Sequence, residues 1–334
     1  RKNLVKQLKS MDLDYALGEE YDTILSGFEV IIKAGDFETL AQGFGKQVDL
    51  MVGNEYEPAE YKVVTNDVDV YETGIFNSGN ISYTGKGTIV AILDTGCDYA
   101  HSAFTTHQVV DPLYDRDDIA KLMIGTNAYQ LSGGTLEARE VYYGNLTGEK
   151  IVFGYDYADK DTDIMPFENS HGTHVAGIIA GKDDKITGVA IDAQLAIMKV
   201  FSDYEQGAED GDIIAALEDA IVLGVDAINM SLGSACGFSS ESSPEESYKN
   251  ELYGNIEKAG ISLIVAASND FSSGMGGENG NTNKTDNPDS ATVGSPSSYP
   301  SAFTVASISG KKSNYMLANG DHVVFFRPSV GTNA

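Results

Sequence analysis

Cysteine is scarce in this chain of 334 residues, which contains only Cys97 and Cys236. So few thiols exclude a disulfide framework as the main support of the fold. We expect Cys97 to act as a buried apolar thiol, with a bond between Cys97 and Cys236 as the alternative.

Basic residues are also few, with 22 Lys and Arg against 50 Asp and Glu, which gives a formal net charge of −28 and a pI near 4.3. A nucleic-acid backbone would be repelled by such a surface, so the composition argues against DNA or RNA as a partner. An acidic surface can attract cationic substrates, but a well-solvated extracellular surface is the favoured explanation of the charge, and we infer no substrate charge from it.

Long apolar runs are missing as well. One of the longest, Ile213–Leu223, is interrupted by Glu218 and Asp219 and is too short to span a bilayer. The basic start RKNLVKQLKS lacks the apolar core of a signal peptide, so we expect any export signal to lie upstream of Arg1. With 42% hydrophobic residues, the chain is expected to be a soluble globular protein with a large core.

Two distant segments bring an aspartate and a histidine into a suggestive context. Asp94 ends the apolar run Thr88–Leu93 and precedes a Thr-Gly turn, which predicts a carboxylate at the carboxyl end of a buried strand. Open α/β sheets keep their binding sites at that edge. His171 precedes a run of small residues, 172–181, that predicts a closely packed helix. Taken singly, each residue could be an ordinary turn or core residue, and it is the pairing that suggests a site.

Two further segments follow in order, AINMSLG at 227–233 and IVAASND at 264–270. With Asp94 and His171, they make the chain resemble the subtilisin-like serine peptidases, or subtilases. The segment KIVFGYDYADK at 150–160 is similar to cell-envelope proteinases of the lactocepin kind. The resemblance implies a bacterial enzyme that is secreted or attached to the cell surface and that acts on peptides or proteins.

The resemblance also implies roles for individual residues. His171 would be the general base, Asp94 its orienting carboxylate, and Asn269 the side-chain donor of an oxyanion hole. Peptide would bind between two walls, formed by Ser231, Leu232 and Gly233 on one side and by Ala266, Ala267 and Ser268 on the other. The family usually has glycine where Ser268 stands, so its side chain is expected to narrow or polarise the pocket.

The nucleophile expected from this resemblance is not found. Subtilases carry it in a GTSMA motif, and the GTNA at 331–334 lacks the serine. We therefore expect the chain to stop before the serine, which would lie downstream or on a second polypeptide. One alternative is a catalytically inactive relative that binds peptides or regulates a partner. A nucleotide-binding protein is disfavoured, because no GxGxxG follows the first strand.

Residues 1–61 are predicted to form a propeptide-like open-faced α+β sandwich whose first strand would precede Arg1. The pattern predicts a helix through Leu4, Leu8 and Met11, a strand over 21–33, a helix capped by Asp36 and a strand over 48–52. A permanently attached accessory domain is the alternative. As a propeptide, its tail at 57–61 would enter the substrate cleft, with maturation near the Tyr61–Lys62 bond.

After a linker over 62–84, residues 85–321 predict the first part of a doubly wound α/β domain with a mostly parallel sheet. Strands are predicted at Thr88–Leu93, Gln194–Val200, Ala227–Ser231, Ile261–Ala267 and Ala302–Ala306, and helices at 172–181, 212–223 and 244–259. The polar stretches 104–168 and 272–298 are expected to be loops that shape binding surfaces. Residues 322–334 would begin as a strand leading toward an inserted protease-associated domain.

We expect no bound metal, with calcium as the alternative. Oxygen ligands could come from Asp183, Asp184 and the Asn and Asp cluster at 279–289. The segment HSAF at 101–104, however, lacks the acidic residue that the family often provides there. His174 is expected to be a structural helix residue, and His101 to tie the loop after Asp94.

Overall fold

The computed structural model describes residues 2–11, 13–21, 23–24, 26–45, 48, 50, 83–234, 247–268 and 293–306. It also describes the backbone of 55–58, 244–246, 315–318 and 322–325. Most of the predicted strand over 48–52, most of the linker and most of the loop over 272–298 lie outside these residues.

The first 45 residues form a small α+β unit with its own core. Its elements are α1 (Lys2–Lys9), β1 (Tyr15–Tyr21), β2 (Gly27–Ile32) and α2 (Phe37–Phe44). A further short strand, β3 (Glu55–Pro58), follows this unit along the chain. Leu8, Leu40 and Phe44 are buried where the helices pack on the antiparallel β1–β2 hairpin. The prediction of one strand over 21–33 was wrong, because β1 ends at Tyr21 and β2 begins only at Gly27. Asp36 precedes α2 as predicted, but its side chain makes no capping hydrogen bond.

The rest of the chain alternates strands with helices. The elements are β4 (Ile89–Asp94), α3 (Ser102–Thr105), α4 (Arg116–Leu122), α5 (Asn127–Leu131), α6 (Ala138–Val141), α7 (Gly144–Thr147), β5 (Ile151–Asp156), α8 (His171–Ala180), β6 (Gln194–Lys199), β7 (Ala208–Glu209), α9 (Asp210–Val222), β8 (Ala227–Met230), β9 (Leu232–Gly233), α10 (Pro244–Lys258), β10 (Ser262–Ala266), β11 (Ala302–Val305), β12 (Tyr315–Ala318) and β13 (His322–Phe325).

Six of these strands form a parallel sheet in the order β11-β10-β8-β4-β6-β5. All five predicted strands are confirmed to within two residues, and so are the three predicted helices. The sheet carries one more strand, β5, which the sequence analysis had assigned to a polar excursion. The stretch 104–168 is thus not a loop, since it also contains α4 to α7.

Both faces of the sheet are covered, which explains the continuous apolar runs in its strands. Along β4, Ala91 and Leu93 belong to the core that includes α9, whereas Ile92 belongs to a second core that includes α8. Helices on both faces of a parallel sheet confirm the predicted doubly wound α/β fold. Such a sheet places its carboxyl strand ends along one edge, where Asp94 lies.

At the end of the described chain, β13 confirms the strand predicted to start at His322, and it pairs antiparallel with β12. Its connection to an inserted domain stays a prediction. None of the helices within the described residues combines the length and the apolar character required to cross a membrane.

Candidate active site

The structure brings Asp94 and His171 into direct contact. The Nδ1 atom of His171 lies 2.8 Å from Oδ1 of Asp94. Asp94 ends β4, and its side chain is 1% exposed, while that of His171, the first residue of α8, is 12% exposed. The backbone N–H of Thr95 donates a second hydrogen bond to Oδ1 of Asp94 at 2.7 Å. The carboxylate is therefore buried, paired and held in one orientation.

The start of α8 is fastened to the turn after β4. Thr95 Oγ1 donates to the carbonyl of Asn169 at 2.8 Å and accepts from the N–H of Gly172 at 3.0 Å. Gly172 has to be glycine, since a Cβ there would collide with the carbonyl oxygen of Gly96 and lie 3.1 Å from Oδ1 of Asp94. The small residues that suggested close packing therefore let the helix approach the carboxylate.

The contact determines which nitrogen of His171 is basic. A carboxylate can only accept hydrogen bonds, so Nδ1 carries the proton and donates a hydrogen bond to Asp94. In the neutral ring, Nε2 then holds the lone pair and can take a proton from a reacting group. This is the arrangement of a general base with an orienting carboxylate.

A short strand groove is formed by β7 and β9, and the segment β3 lies in it. β3 pairs antiparallel with β9, with Glu57 opposite Gly233, and with β7, with Tyr56 opposite Ala208. β9 holds the predicted wall residues Leu232 and Gly233, with Ser231 directly before it. An extended segment thus adds as a middle strand between two edges, which is a common mode of peptide recognition. The second edge, β7, was missed, because two residues leave no periodic signal.

The second predicted wall, 266–268, is joined to the first through residues that the sequence analysis missed. Gly294 donates from its N–H to the carbonyl of Ala267 at 2.9 Å. Ser295 exchanges two backbone hydrogen bonds with Ser234, at 2.9 and 3.0 Å. The structure therefore links the two predicted peptide walls across the segment 294–295. Sequence spacing could not reveal this link, since it joins three distant parts of the chain.

Ser268 adopts an unusual backbone conformation, with φ of 111°. This region favours glycine, so a side chain at this position strains the backbone. The strained residue ends the wall formed by Ala266 and Ala267, and its Cβ lies 3.1 Å from the point where a Cβ on Gly294 would lie. At the rim of the groove, a serine therefore adopts a backbone conformation that glycine would adopt with less strain.

The N-terminal unit is docked on α9 and α10. The backbone N–H groups of Thr23 and Ile24 donate to Oε1 of Glu218 at 2.9 and 2.8 Å, and Asn255 Nδ2 donates to the carbonyl of Ile24 at 2.8 Å. Ile24 is buried in the main core, as is Tyr21. The unit thus shares apolar core with the large domain.

This interface is rich in acid groups. Lys160 forms an ion pair with Glu19 at 2.8 Å. Burial, reinforced by the neighbouring carboxylates of Glu209, Glu29 and Glu19, raises the pKa of Asp212 to about 8, although Lys160 opposes the shift. Docking of the N-terminal unit therefore crowds carboxylates together.

Cys97 is a free, buried thiol, as expected, and burial raises its pKa. His101 caps α3 through Nδ1, which accepts from the N–H of Ala103 at 3.1 Å, so it does tie the loop after Asp94. His174 lies on the exposed side of α8. Asn269 and Cys236 lie outside the described residues.

Of the predicted calcium ligands, Asp183 already has protein partners. Its Oδ2 accepts from Ser102 Oγ at 2.6 Å, and its Oδ1 accepts from the N–H groups of Lys185 and Ile186 at 2.7 and 2.9 Å. The hydrogen bond from Ser102, with those two N–H groups, lowers the pKa of Asp183 to about 2. The cluster over 279–289 falls outside the described residues.

A second His–Asp contact was not expected. Nε2 of His107 lies 2.8 Å from Oδ1 of Asp192, just before the start of β6 and thus at the opposite edge of the sheet. Burial alone would raise the pKa of Asp192, but hydrogen bonds from His107, Thr84 and the N–H of Val110 outweigh it and lower the pKa. The two residues lie 85 positions apart without a shared motif, so sequence alone offered no signal.

The family model of the subtilases, Peptidase_S8, matches residues 85–330. The chain belongs to the subtilase family. It is 30% identical over 302 residues to the PIII-type proteinase of Lactococcus lactis subsp. cremoris, a match that covers 87% of this chain and 14% of that relative. It is also 30% identical over 243 residues to a C5a peptidase of Streptococcus pyogenes, covering 68% of this chain and 18% of that relative. The similarity to lactococcal proteinases seen in the motifs is thereby confirmed.

Among solved structures, fervidolysin from Fervidobacterium pennivorans is similar in fold, with a TM-score of 0.55 at 19% identity. That match covers 97% of this chain and 43% of the fervidolysin chain. At this identity the likeness concerns the fold, which agrees with a subtilisin-like arrangement. The chain spans about a seventh of the length of the curated lactococcal relatives it matches.

Proposed function

We propose that this chain forms part of a secreted serine endopeptidase, in which Asp94 and His171 are two members of an Asp-His-Ser triad. The observation that carries the proposal is the 2.8 Å contact of His171 with a buried Asp94, close to a groove that holds an extended segment. The serine would come from sequence outside the described residues, downstream or on a second polypeptide.

In this mechanism, Nε2 of His171 takes the proton from the serine hydroxyl as that oxygen attacks the scissile carbonyl. Asp94 holds the ring in the required tautomer and stabilises the imidazolium that forms. Asn269 is proposed to donate to the developing oxyanion. His171 then gives its proton to the leaving amine, and water repeats the sequence to release the acyl group.

We further propose that substrate binds as β3 does, as an extended strand between β7 and β9. The backbone of Ser231, Leu232 and Gly233 would pair with the peptide, while Ala266, Ala267 and Ser268 would line the pocket opposite. The main-chain pairing would make the groove tolerant of sequence, and the pocket would select one side chain.

The N-terminal unit is proposed to be a propeptide that occupies the groove until it is cut near the Tyr61–Lys62 bond. Its support is the position of β3, which fills the place proposed for substrate. Mass spectrometry of the matured protein would identify the new N-terminus. A unit that stays attached in active, fully processed protein would favour an accessory domain instead.

An inactive relative that binds peptides is the second candidate, because the described residues provide no nucleophile in the family's motif. A fluorophosphonate probe, which labels activated serines, distinguishes the two on the complete protein. Labelling and peptide hydrolysis, both abolished in His171→Ala, are expected for the peptidase. Mature, folded protein that neither labels nor hydrolyses peptides would contradict it.

The relatives are bacterial proteinases and peptidases, which supports a secreted or surface location.

A further inference from the structure

A buried lysine lies beside the proposed active site without a part in the chemistry. Lys199 ends β6 and is 1% exposed. Its Nζ forms ion pairs with Oδ2 of Asp156 and with Oδ1 of Asp203, each at 2.7 Å. Burying an ammonium group is unfavourable unless it is paired, so these two contacts determine where the lysine can lie.

The two carboxylates belong to different parts of the chain. Asp156 ends β5, whereas Asp203 lies in the segment 201–207 that connects β6 to β7. Asp159 strengthens the connection, since its Oδ1 accepts from Ser202 Oγ at 2.6 Å and its Oδ2 accepts from the N–H of Asp203 at 2.9 Å. The first residues of the segment 201–207 are therefore fastened to the carboxyl ends of β5 and β6.

Three of these acids form a cluster that already contains the positive charge of Lys199. Asp156, Asp159 and Asp203 are the group of three acids in the described residues whose spacing could hold a metal ion. The ammonium of Lys199 lies between two of them and provides the positive charge that such a group requires. The cluster is therefore better understood as a structural ion-pair network than as a metal site.

Lys199 also borders Asp94. The two residues are paired in register on the neighbouring strands β4 and β6, and the N–H of Val200 donates to the carbonyl of Asp94 at 3.0 Å. A Cβ placed on Gly96 would lie 3.1 Å from Cδ of Lys199, so the lysine stem runs beneath the turn after Asp94. One side chain thus touches the support of the His–Asp pair and the start of the segment leading to β7.

We propose that Lys199 is a positioning residue for the outer peptide strand: through Asp203 it holds the segment 201–207, and with it β7, in line with the carboxylate of Asp94. This inference rests on the proposed peptidase function. β7 pairs with Glu55 and Tyr56, whereas β9 pairs with Glu57 and Pro58, which lie nearer the proposed cut. Loss of Lys199 should therefore weaken the binding of long peptides more than that of short ones.

The test compares Lys199→Met with wild type in the complete protein, using a long peptide that reaches both strands and a short one that reaches β9 alone. We expect the ratio of kcat/KM for the long peptide over the short one to fall about tenfold, through a higher KM for the long peptide. Asp203→Asn, a milder change at a partly exposed residue, should lower the same ratio and serves if Lys199→Met does not fold. Equal losses on both peptides, or a loss in kcat alone, would overturn the inference.

Lys150→Met is the matched control. Lys150 is also a buried lysine, but it lies before β5 at the opposite edge of the sheet, where its Nζ donates to the carbonyls of Ile191 and Ala193. It should lose stability and keep the wild-type ratio of long over short peptide. A lowered ratio in this control would show that destabilisation alone explains the effect.

Hydrogen exchange separates this inference from the proposed function. In Lys199→Met and Asp203→Asn, amides of 201–209 should exchange at least tenfold faster than in wild type, while those of β10 stay unchanged. If wild type hydrolyses neither peptide, the peptidase proposal fails. Hydrogen exchange is then the remaining test of whether Lys199 positions the segment 201–207. Unchanged exchange over 201–209 would then refute the positioning role.

Discussion

The two His–Asp contacts share one distance but differ in the histidine nitrogen that they use and in their surroundings. Asp94 lies 2.8 Å from Nδ1 of His171, and Asp192 lies 2.8 Å from Nε2 of His107. The first lies at the carboxyl edge of the sheet, near a strand groove and a docked segment. The second lies at the amino edge, where Asp192 accepts from backbone and side chains that hold loops together. A His–Asp contact alone therefore does not identify an active site, and the strand groove beside Asp94 and His171 is what distinguishes this pair.

The largest expected effect is that of Asp94→Asn. An amide at this position can donate to the ring, which favours the tautomer with the proton on Nε2 and removes the base. We expect kcat for peptide hydrolysis to fall about 10⁴-fold with the fold retained. Steady-state kinetics of the complete protein, with circular dichroism as the check on folding, measure this. Activity within tenfold of wild type would refute the role of Asp94.

A second difference between the two edges is the docked N-terminal unit. We expect a rise in pH to weaken its docking. The pKa of Asp212 is raised to about 8, so the docked state binds a proton that the undocked, unfolded carboxyl loses near its usual pKa. Stability should therefore fall as pH rises from about 4 to 8 and level off above, by at most about 1.4 kcal/mol per pH unit from this group.

Urea unfolding between pH 5 and 8 tests this expectation. Asp212→Asn cannot titrate, so its stability should depend less on pH over that range than that of wild type. Parallel pH profiles for the two proteins would mean that the carboxylates around Asp212 are not crowded by docking.

The contact at the amino edge should matter for stability and not for catalysis. Asp192→Asn weakens the hydrogen bonds from His107 and Val110, and we expect a loss of about 1–2 kcal/mol with kcat/KM within twofold of wild type. Because the pKa of Asp192 is lowered in the folded state, its contribution is present above about pH 4 and is lost as pH falls further. Denaturation at pH 7 and pH 3 checks both points. A catalytic loss comparable to that of Asp94→Asn would erase the distinction between the two edges.

The smallest expected effect is at the rim of the groove. Ser268→Gly removes strain at φ of 111° and should stabilise the fold by up to about 1 kcal/mol. It also removes a side chain from the proposed pocket, so larger residues should be accepted there, as a set of peptides varied at one position would reveal. Lower stability of the glycine variant would mean that the serine side chain contributes more than the strain it causes.

Much of the sheet could be predicted from the sequence, because its strands are short apolar runs ended by turn residues. Asp94 and His171 were found for the same reason, since each ends or begins an element with a clear pattern. The second strand of the N-terminal hairpin was placed too early, and β1 was missed, because Gly18, Glu19 and Glu20 interrupt its alternation.

What could not be predicted depends on contacts between distant segments. The role of β7 becomes visible only through its pairing with β3. The role of the segment 294–295 likewise becomes visible only through its hydrogen bonds to Ala267 and Ser234. The ion pairs of Lys199 could not be predicted from the sequence either, because Asp156 and Asp203 come together only when the ends of the strands align. Local patterns identify elements, whereas the groove is created by their packing.

The most direct test of the central claim is the rate of fluorophosphonate labelling of the complete protein, measured side by side for wild type, Asp94→Asn and Asp192→Asn. We expect labelling of wild type and Asp192→Asn at similar rates, and labelling of Asp94→Asn at least a hundredfold more slowly. Equal rates for the two variants, or no labelling of folded wild type, would contradict the role of Asp94 and His171 in a catalytic triad.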